Sequence, residues 1–225
     1  MYQNLFFIDL HTHHGARPGV KSLRNVFLSD IESFATENKQ ILSVGLHPYS
    51  IKVNEDLDML YRQIKFAAGY EQVAAIGETG LDKSIETPLE KQEAVFIVHV
   101  KISEELQKPL MIHSVRTHQE ILHLRKNLKA KQPWIFHGFA GSAQLARQCI
   151  KAGCLLSFGP AILKDHNRAV HGLLSLGIDE FFLETDDSGL DIAVLYERAA
   201  WLKQTTVEVL RERISERFYK IIDKK

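Results

Sequence analysis

Apolar residues gather in eight short runs, at 5–10, 23–28, 41–46, 73–76, 110–112, 134–136, 155–158 and 181–183, each followed by turn signals. Continuous apolar runs of this length suit strands buried on both faces, as in a parallel sheet covered by helices. The stretches between them supply the helices. Residues 89–106 repeat apolar side chains at Ala94, Ile97, Val98, Ile102 and Leu106, with Thr87 and Pro88 ahead of them as N-cap and first-turn proline. Ser142 precedes Leu145, Ala146, Cys149 and Ile150 in the same way, and Gly153 stops that helix. The alternation predicts a single α/β domain over residues 1–225, and eight strands with crossovers favour a (β/α)8 TIM barrel over an open doubly wound sheet. The start of the chain departs from this pattern. Residues 22–29 read either as a strand or as part of a helix, and 15–19 carry no pattern, so the first β-to-β connection is shortened.

At 45% hydrophobic and 25% charged residues, the chain has the composition of an ordinary soluble domain. Its 28 basic and 28 acidic residues cancel, which excludes a global basic field that would hold long nucleic acid. Two cysteines, Cys149 and Cys154, are too few for a disulfide framework. The first residues lack the basic segment and long apolar run of a secretory signal, and no run approaches a membrane span. A reduced, cytoplasmic location without membrane contact is the expectation, and no obligate protein partner is indicated.

Eleven histidines stand out from this otherwise ordinary composition. The first run ends Asp9-Leu10-His11-Thr12-His13, and the strand period of two puts Asp9, His11 and His13 on one side. Further runs end in Glu78, His113, His137 and Asp186. Functional groups of a barrel converge at the carboxyl ends of its strands. Four imidazoles and two carboxylates brought together there need a positive partner to offset repulsion and desolvation, and a metal centre supplies it. Six ligands exceed one tetrahedral site, so two divalent ions are expected, with Glu78 as bridge, His11, His13 and Asp186 on one ion and His113 and His137 on the other. Ligand softness alone admits Zn²⁺, Mn²⁺, Fe²⁺ or Co²⁺. Asp186 is also the candidate general base, and Asp9 and Glu184 are candidate hydrogen-bond partners for the imidazole N–H groups. His47, before Pro48, and Arg116 are candidate substrate contacts, and Arg17, Lys83, Lys164 and Arg168 could add a cationic rim. His99, His118, His123, His166 and His171 read as surface residues.

The strings Ile8-Asp9-Leu10-His11-Thr12-His13, Gly45-Leu46-His47-Pro48, Ala75-Ile76-Gly77-Glu78-Thr79-Gly80-Leu81-Asp82, Met111-Ile112-His113-Ser114, Phe136-His137-Gly138-Phe139-Ala140-Gly141 and Leu183-Glu184-Thr185-Asp186 resemble the ordered motifs of the TatD family of metal-dependent hydrolases. Arg217-Phe218-Tyr219 resembles the closing motif. The resemblance implies an amidohydrolase-like TIM barrel, a divalent metal pair with activity on Mg²⁺ or Mn²⁺, and a deoxyribonuclease that hydrolyses phosphodiesters. Departures fall in loops: residues 15–19 in place of a regular helix, Lys83-Ser84 where aromatic residues usually stand, Val115 displacing an arginine to position 116, and Asp187-Ser188-Gly189 after Asp186. They bear on substrate rather than on ligands. DNA ends or short single strands, or another phosphate ester, are the expected transient partner. The alternative is hydrolysis of amides, lactones or non-phosphate esters by the same metal pair.

Overall fold

A computed structural model describes residues 6–37 and 40–223. Leu5, the first residue of the first apolar run, lies outside them. Eight parallel strands follow one another in sequence order, the topology of the (β/α)8 class. They are β1 (Phe7–Thr12), β2 (Val20–Phe27), β3 (Ile41–Gly45), β4 (Val73–Asp82), β5 (Leu110–Val115), β6 (Trp134–Phe136), β7 (Cys154–Phe158) and β8 (Phe181–Leu183). The helices are α1 (Ile31–Glu37), α2 (Leu57–Ala67), α3 (Leu89–Leu106), α4 (His118–Leu128), α5 (Ala143–Lys151), α6 (Arg168–Leu174), α7 (Ile192–Lys203) and α8 (Val207–Ile221). No helix among the described residues is long and apolar enough to cross a membrane. Between β1 and β2 the described chain has no helix, in keeping with the shortened first connection.

Contacts divide the chain into two compact units, one formed by the chain up to Arg24 and from Phe136 onward, the other by Asn25–Ile135. In the first, Phe158, Phe181 and Phe182 are fully buried, and Phe158 meets Phe139 and Phe181 edge to face. Tyr196 of α7 is fully buried because its hydroxyl has two backbone partners on β1, accepting from Ile8 N at 3.2 Å and donating to Ile8 O at 3.1 Å. Arg217 donates to the carbonyl of Phe181 at 2.6 Å, which ties α8 to the start of β8. Ser142 caps α5 by accepting from Leu145 N at 3.3 Å. Cys149 and Cys154 are buried free thiols, and burial pushes Cys149 up to about 12.

In the unit Asn25–Ile135, β4 is longer than its apolar run. Its second half carries Glu78, Thr79, Leu81 and Asp82, all buried, and pairs Thr79 with Ile112 and Gly80 with His113 after a register irregularity. Ladder pairing satisfies a backbone whose polar side chains hid the strand from hydropathy. A Cβ on Gly80 would lie 1.9 Å from the carbonyl oxygen of His113, so only glycine allows this approach. Gln92 of α3 fixes the strand's end, accepting from Asp82 N at 2.7 Å and donating to Asp82 O at 3.0 Å. The ambiguous 22–29 stretch is strand and begins earlier, at Val20, and α3 spans Leu89–Leu106 as expected, but Pro88 takes the N-cap position expected for Thr87 and no side chain caps the helix.

Candidate metal centre

In the first unit, His11, His137 and Asp186 offer ligand atoms within 4.8 Å of one another. His11 Nε2 stands 3.6 Å and His13 Nε2 3.5 Å from Asp186 Oδ1, and the His11 and His137 rings are 4.2 Å apart. Nitrogen and oxygen ligands at 2.0–2.2 Å from one ion are themselves separated by about 3–3.6 Å, so these spacings fit a shared cation. His11 is fully buried, whereas the side chains of His13 and Asp186 are about one third open, leaving this edge accessible to solvent.

The position of Asp186 is set by β1. Its N–H donates to His11 O at 2.9 Å, and its carbonyl accepts from His13 N at 3.2 Å and from the Thr12 hydroxyl at 3.3 Å. These bonds hold it in the left-handed region at φ 53°, a conformation that non-glycine residues keep only where neighbours over-determine it. Glu184, fully buried, accepts from Gly138 N at 2.5 Å and lies 3.4 Å from His137 Nδ1. Asp9 goes elsewhere. It accepts the N–H of Thr185 at 2.9 Å and its hydroxyl at 2.6 Å, and burial outweighs those bonds, raising its carboxyl to about 7.

In the second unit, His47, Glu78 and His113 form a comparable group. Glu78 Oε1 is 3.3 Å from His47 Nε2 and 3.1 Å from His113 Nδ1, and Asn25 of β2 steadies the glutamate by donating to Oε2 at 3.4 Å and accepting from Glu78 N at 2.9 Å. The two imidazoles differ in what they offer. His47 Nδ1 accepts from Tyr49 N at 3.2 Å, so the neutral ring carries its proton on Nε2 and presents a donor. His113 Nε2 lies 3.0 Å from Asp82 Oδ2. Burial works against the Asp82 charge, yet the Ser84 hydroxyl and His113 hold its carboxyl below the usual value. An ionised Asp82 accepts a hydrogen bond from Nε2–H and leaves Nδ1 as a lone pair beside Glu78, the donor set a cation needs.

The structure thus groups His137 with His11 and Asp186, and His47 with Glu78 and His113. Among the basic candidates, Arg116 is exposed at φ 58° after β5, Lys83 is paired with Glu120, and Arg17 donates to the carbonyls of Leu190 and Gly189. His99 corrects the surface reading. It is fully buried in α3, where Nδ1 donates to Val95 O at 2.8 Å and Nε2 accepts from Leu46 N at 2.9 Å, next to His47. Asp82, Asn25 and Thr185 were not singled out either. Asp82 shares the strand parity of Glu78, a signal hidden only by ending the strand too early.

The family described as TatD related DNase matches residues 15–219. The chain is 32% identical over 149 residues to an uncharacterized metal-dependent hydrolase of Buchnera aphidicola, covering 65% of this chain and 55% of that protein. It is 33% identical over 162 residues to a protein of Danio rerio named a putative deoxyribonuclease, covering 66% and 59%. The chain therefore spans less than two thirds of the length of these relatives. The crystal structure of a TatD homologue from Escherichia coli superposes with a TM-score of 0.82 at 20% identity, covering 98% of this chain and 99% of that one, a likeness of fold.

Proposed function

Because the chain belongs to the family of TatD-related DNases, we propose that it is a metal-dependent hydrolase cleaving phosphodiester bonds at DNA ends or in short single strands. The observation that carries this reading is the pair of imidazole and carboxylate groups, each with ligand atoms within 4.8 Å. Two divalent ions are proposed, Mg²⁺ or Mn²⁺ for activity with Zn²⁺ as a further occupant, His11, His13, His137 and Asp186 holding one and Glu78 and His113 the other. Such ions, when bound, polarise a phosphoryl oxygen and make water a nucleophile near neutral pH.

The protein's own residues do the rest. Asp186, partly open, accepts the proton of the attacking water. Glu184 and Asp82 orient His137 and His113 through the ring nitrogens that face them. His47, whose Nε2–H stands 3.3 Å from Glu78 Oε1, exchanges that approach for a phosphate oxygen when Glu78 is engaged by a cation, and the exposed Arg116 adds a charged contact that positions without moving a proton. DNA is a transient partner of a cytoplasmic enzyme in this reading.

The test is hydrolysis of single-stranded DNA by chelator-treated protein to which Mg²⁺, Mn²⁺ or Zn²⁺ is returned, beside a panel of lactones, amides and carboxylic esters. Metal-restored cleavage of DNA is the expected result. Cleavage confined to the non-phosphate panel would replace the phosphodiesterase reading with the alternative one.

A further inference from the structure

A cavity of about 590 Å³ opens beside His47 within the unit Asn25–Ile135. Its walls come from the carboxyl ends of β2 and β3, which bring Phe27 and Leu46, and from α2, which brings Gln63 and Phe66. The volume falls in the range of sites that enclose a small molecule, about 300–1,000 Å³. Phe27 is 54% and Phe66 65% exposed. The packing stripe of α2 is Leu60, Ile64 and Ala67, so Phe66 stands outside it, and Phe27 is the exposed last residue of a strand otherwise turned inward at Asn25 and Val26. Phe66 meets Tyr70 edge to face at 5.8 Å, yet both it and Phe27 keep more than half of their surface open on the concave wall, where a ligand can cover them.

The polar lining narrows the ligand. Glu32 and Glu55 face the same cavity with one cation, Lys52, so the lining keeps an acidic excess that disfavours a phosphate inside it. A neutral planar group suits the aromatic wall, and the Gln63 side chain offers both a donor and an acceptor to its edge. His47 lines the cavity and also belongs to the group with Glu78 and His113, standing 3.3 Å from Glu78 Oε1, so a ligand seated in the cavity lies next to that group.

We infer that this cavity holds one nucleobase of the substrate, that of the nucleotide whose phosphate His47 contacts, stacked on the wall formed by Phe27 and Phe66. The inference rests on the phosphodiesterase reading and adds to it a subsite that selects a nucleoside on one side of the scissile phosphate. Aromatic stacking tolerates any base, so the subsite recognises nucleosides more than it discriminates among them.

The decisive measurement is the ratio of kcat/KM for thymidine 5′-(p-nitrophenyl phosphate) to that for methyl p-nitrophenyl phosphate, two diesters that share a leaving group and differ in the base. The parent should prefer the nucleoside ester. Phe66→Ala should lower the ratio at least about fivefold, the effect of losing one stacking partner, and Phe66→Trp should keep it. A ratio unchanged in both Phe66→Ala and Phe27→Ala overturns the subsite. If the parent hydrolyses neither ester, the phosphodiesterase reading is decided by the single-stranded DNA assay above. The cavity is then judged by equilibrium binding of a thymidine dinucleotide against its abasic counterpart: a preference that Phe66→Ala removes supports it, and equal affinities overturn it.

Discussion

Nε2 of His113 lies 3.0 Å from Oδ2 of Asp82, so a carboxylate buried at the end of β4 decides which nitrogen of a β5 histidine keeps its proton. An amide in its place accepts more weakly and can turn an NH₂ group toward the ring. Asp82→Asn should therefore weaken metal binding by about 10- to 100-fold, the range for losing a partner behind a ligand. Titration calorimetry with Mn²⁺ on chelator-treated protein reads the change, and unchanged affinity would remove His113 from the ligand set.

Asp186 and His47 should separate in kinetics. Asp186→Asn keeps the size and some coordination of the side chain but loses the proton acceptor, so single-stranded DNA should bind nearly as before and turn over at least about a hundredfold more slowly. His47→Ala and Arg116→Ala should act mainly on KM, because on the proposed phosphodiesterase reading each loses a contact that positions phosphate. Near-normal kcat in Asp186→Asn with metal bound would pass the proton to another group or to solvent.

Gly80→Ala places a methyl 1.9 Å from the carbonyl oxygen of His113, a backbone atom that moves only with β5. Overpacking of this kind should cost about 3 kcal/mol of stability, read as a lowered urea midpoint, and should shift His113 enough to reduce metal affinity as well. A variant with parental stability and metal binding would show that β4 and β5 can part locally without consequence.

Burial holds His99 neutral and pushes it down to about 4, against about 6.5 when exposed. Between those values the unfolded chain takes up a proton that the folded one refuses, so stability is full above pH 6.5, falls as the pH drops toward 4 and has nothing further to lose from this group below that. The component amounts to roughly 3 kcal/mol. Urea unfolding across this window should show a shallower acid loss in His99→Gln than in the parent, even if the variant is less stable at neutral pH. Equal slopes would assign the acid sensitivity to other groups.

Hydrophobic run and turn position were enough to read the strands and the main crossovers, because a parallel strand buried on both faces leaves an unmistakable apolar segment, as at Trp134–Phe136 and Phe181–Leu183. The candidate ligands were legible for the same reason: His11, His113, His137 and Asp186 are polar residues at points where such segments stop. What the sequence could not decide was partnership. That Asp9 satisfies Thr185, that Asp82 governs His113 and that His99 is a core residue under Leu46 all depend on atoms brought within about 3 Å from elements far apart in the chain. The second half of β4 was hidden for a related reason. Its side chains are polar, its hydrogen bonds lie across to β5, and its glycine is explained by a neighbour that only the folded chain supplies.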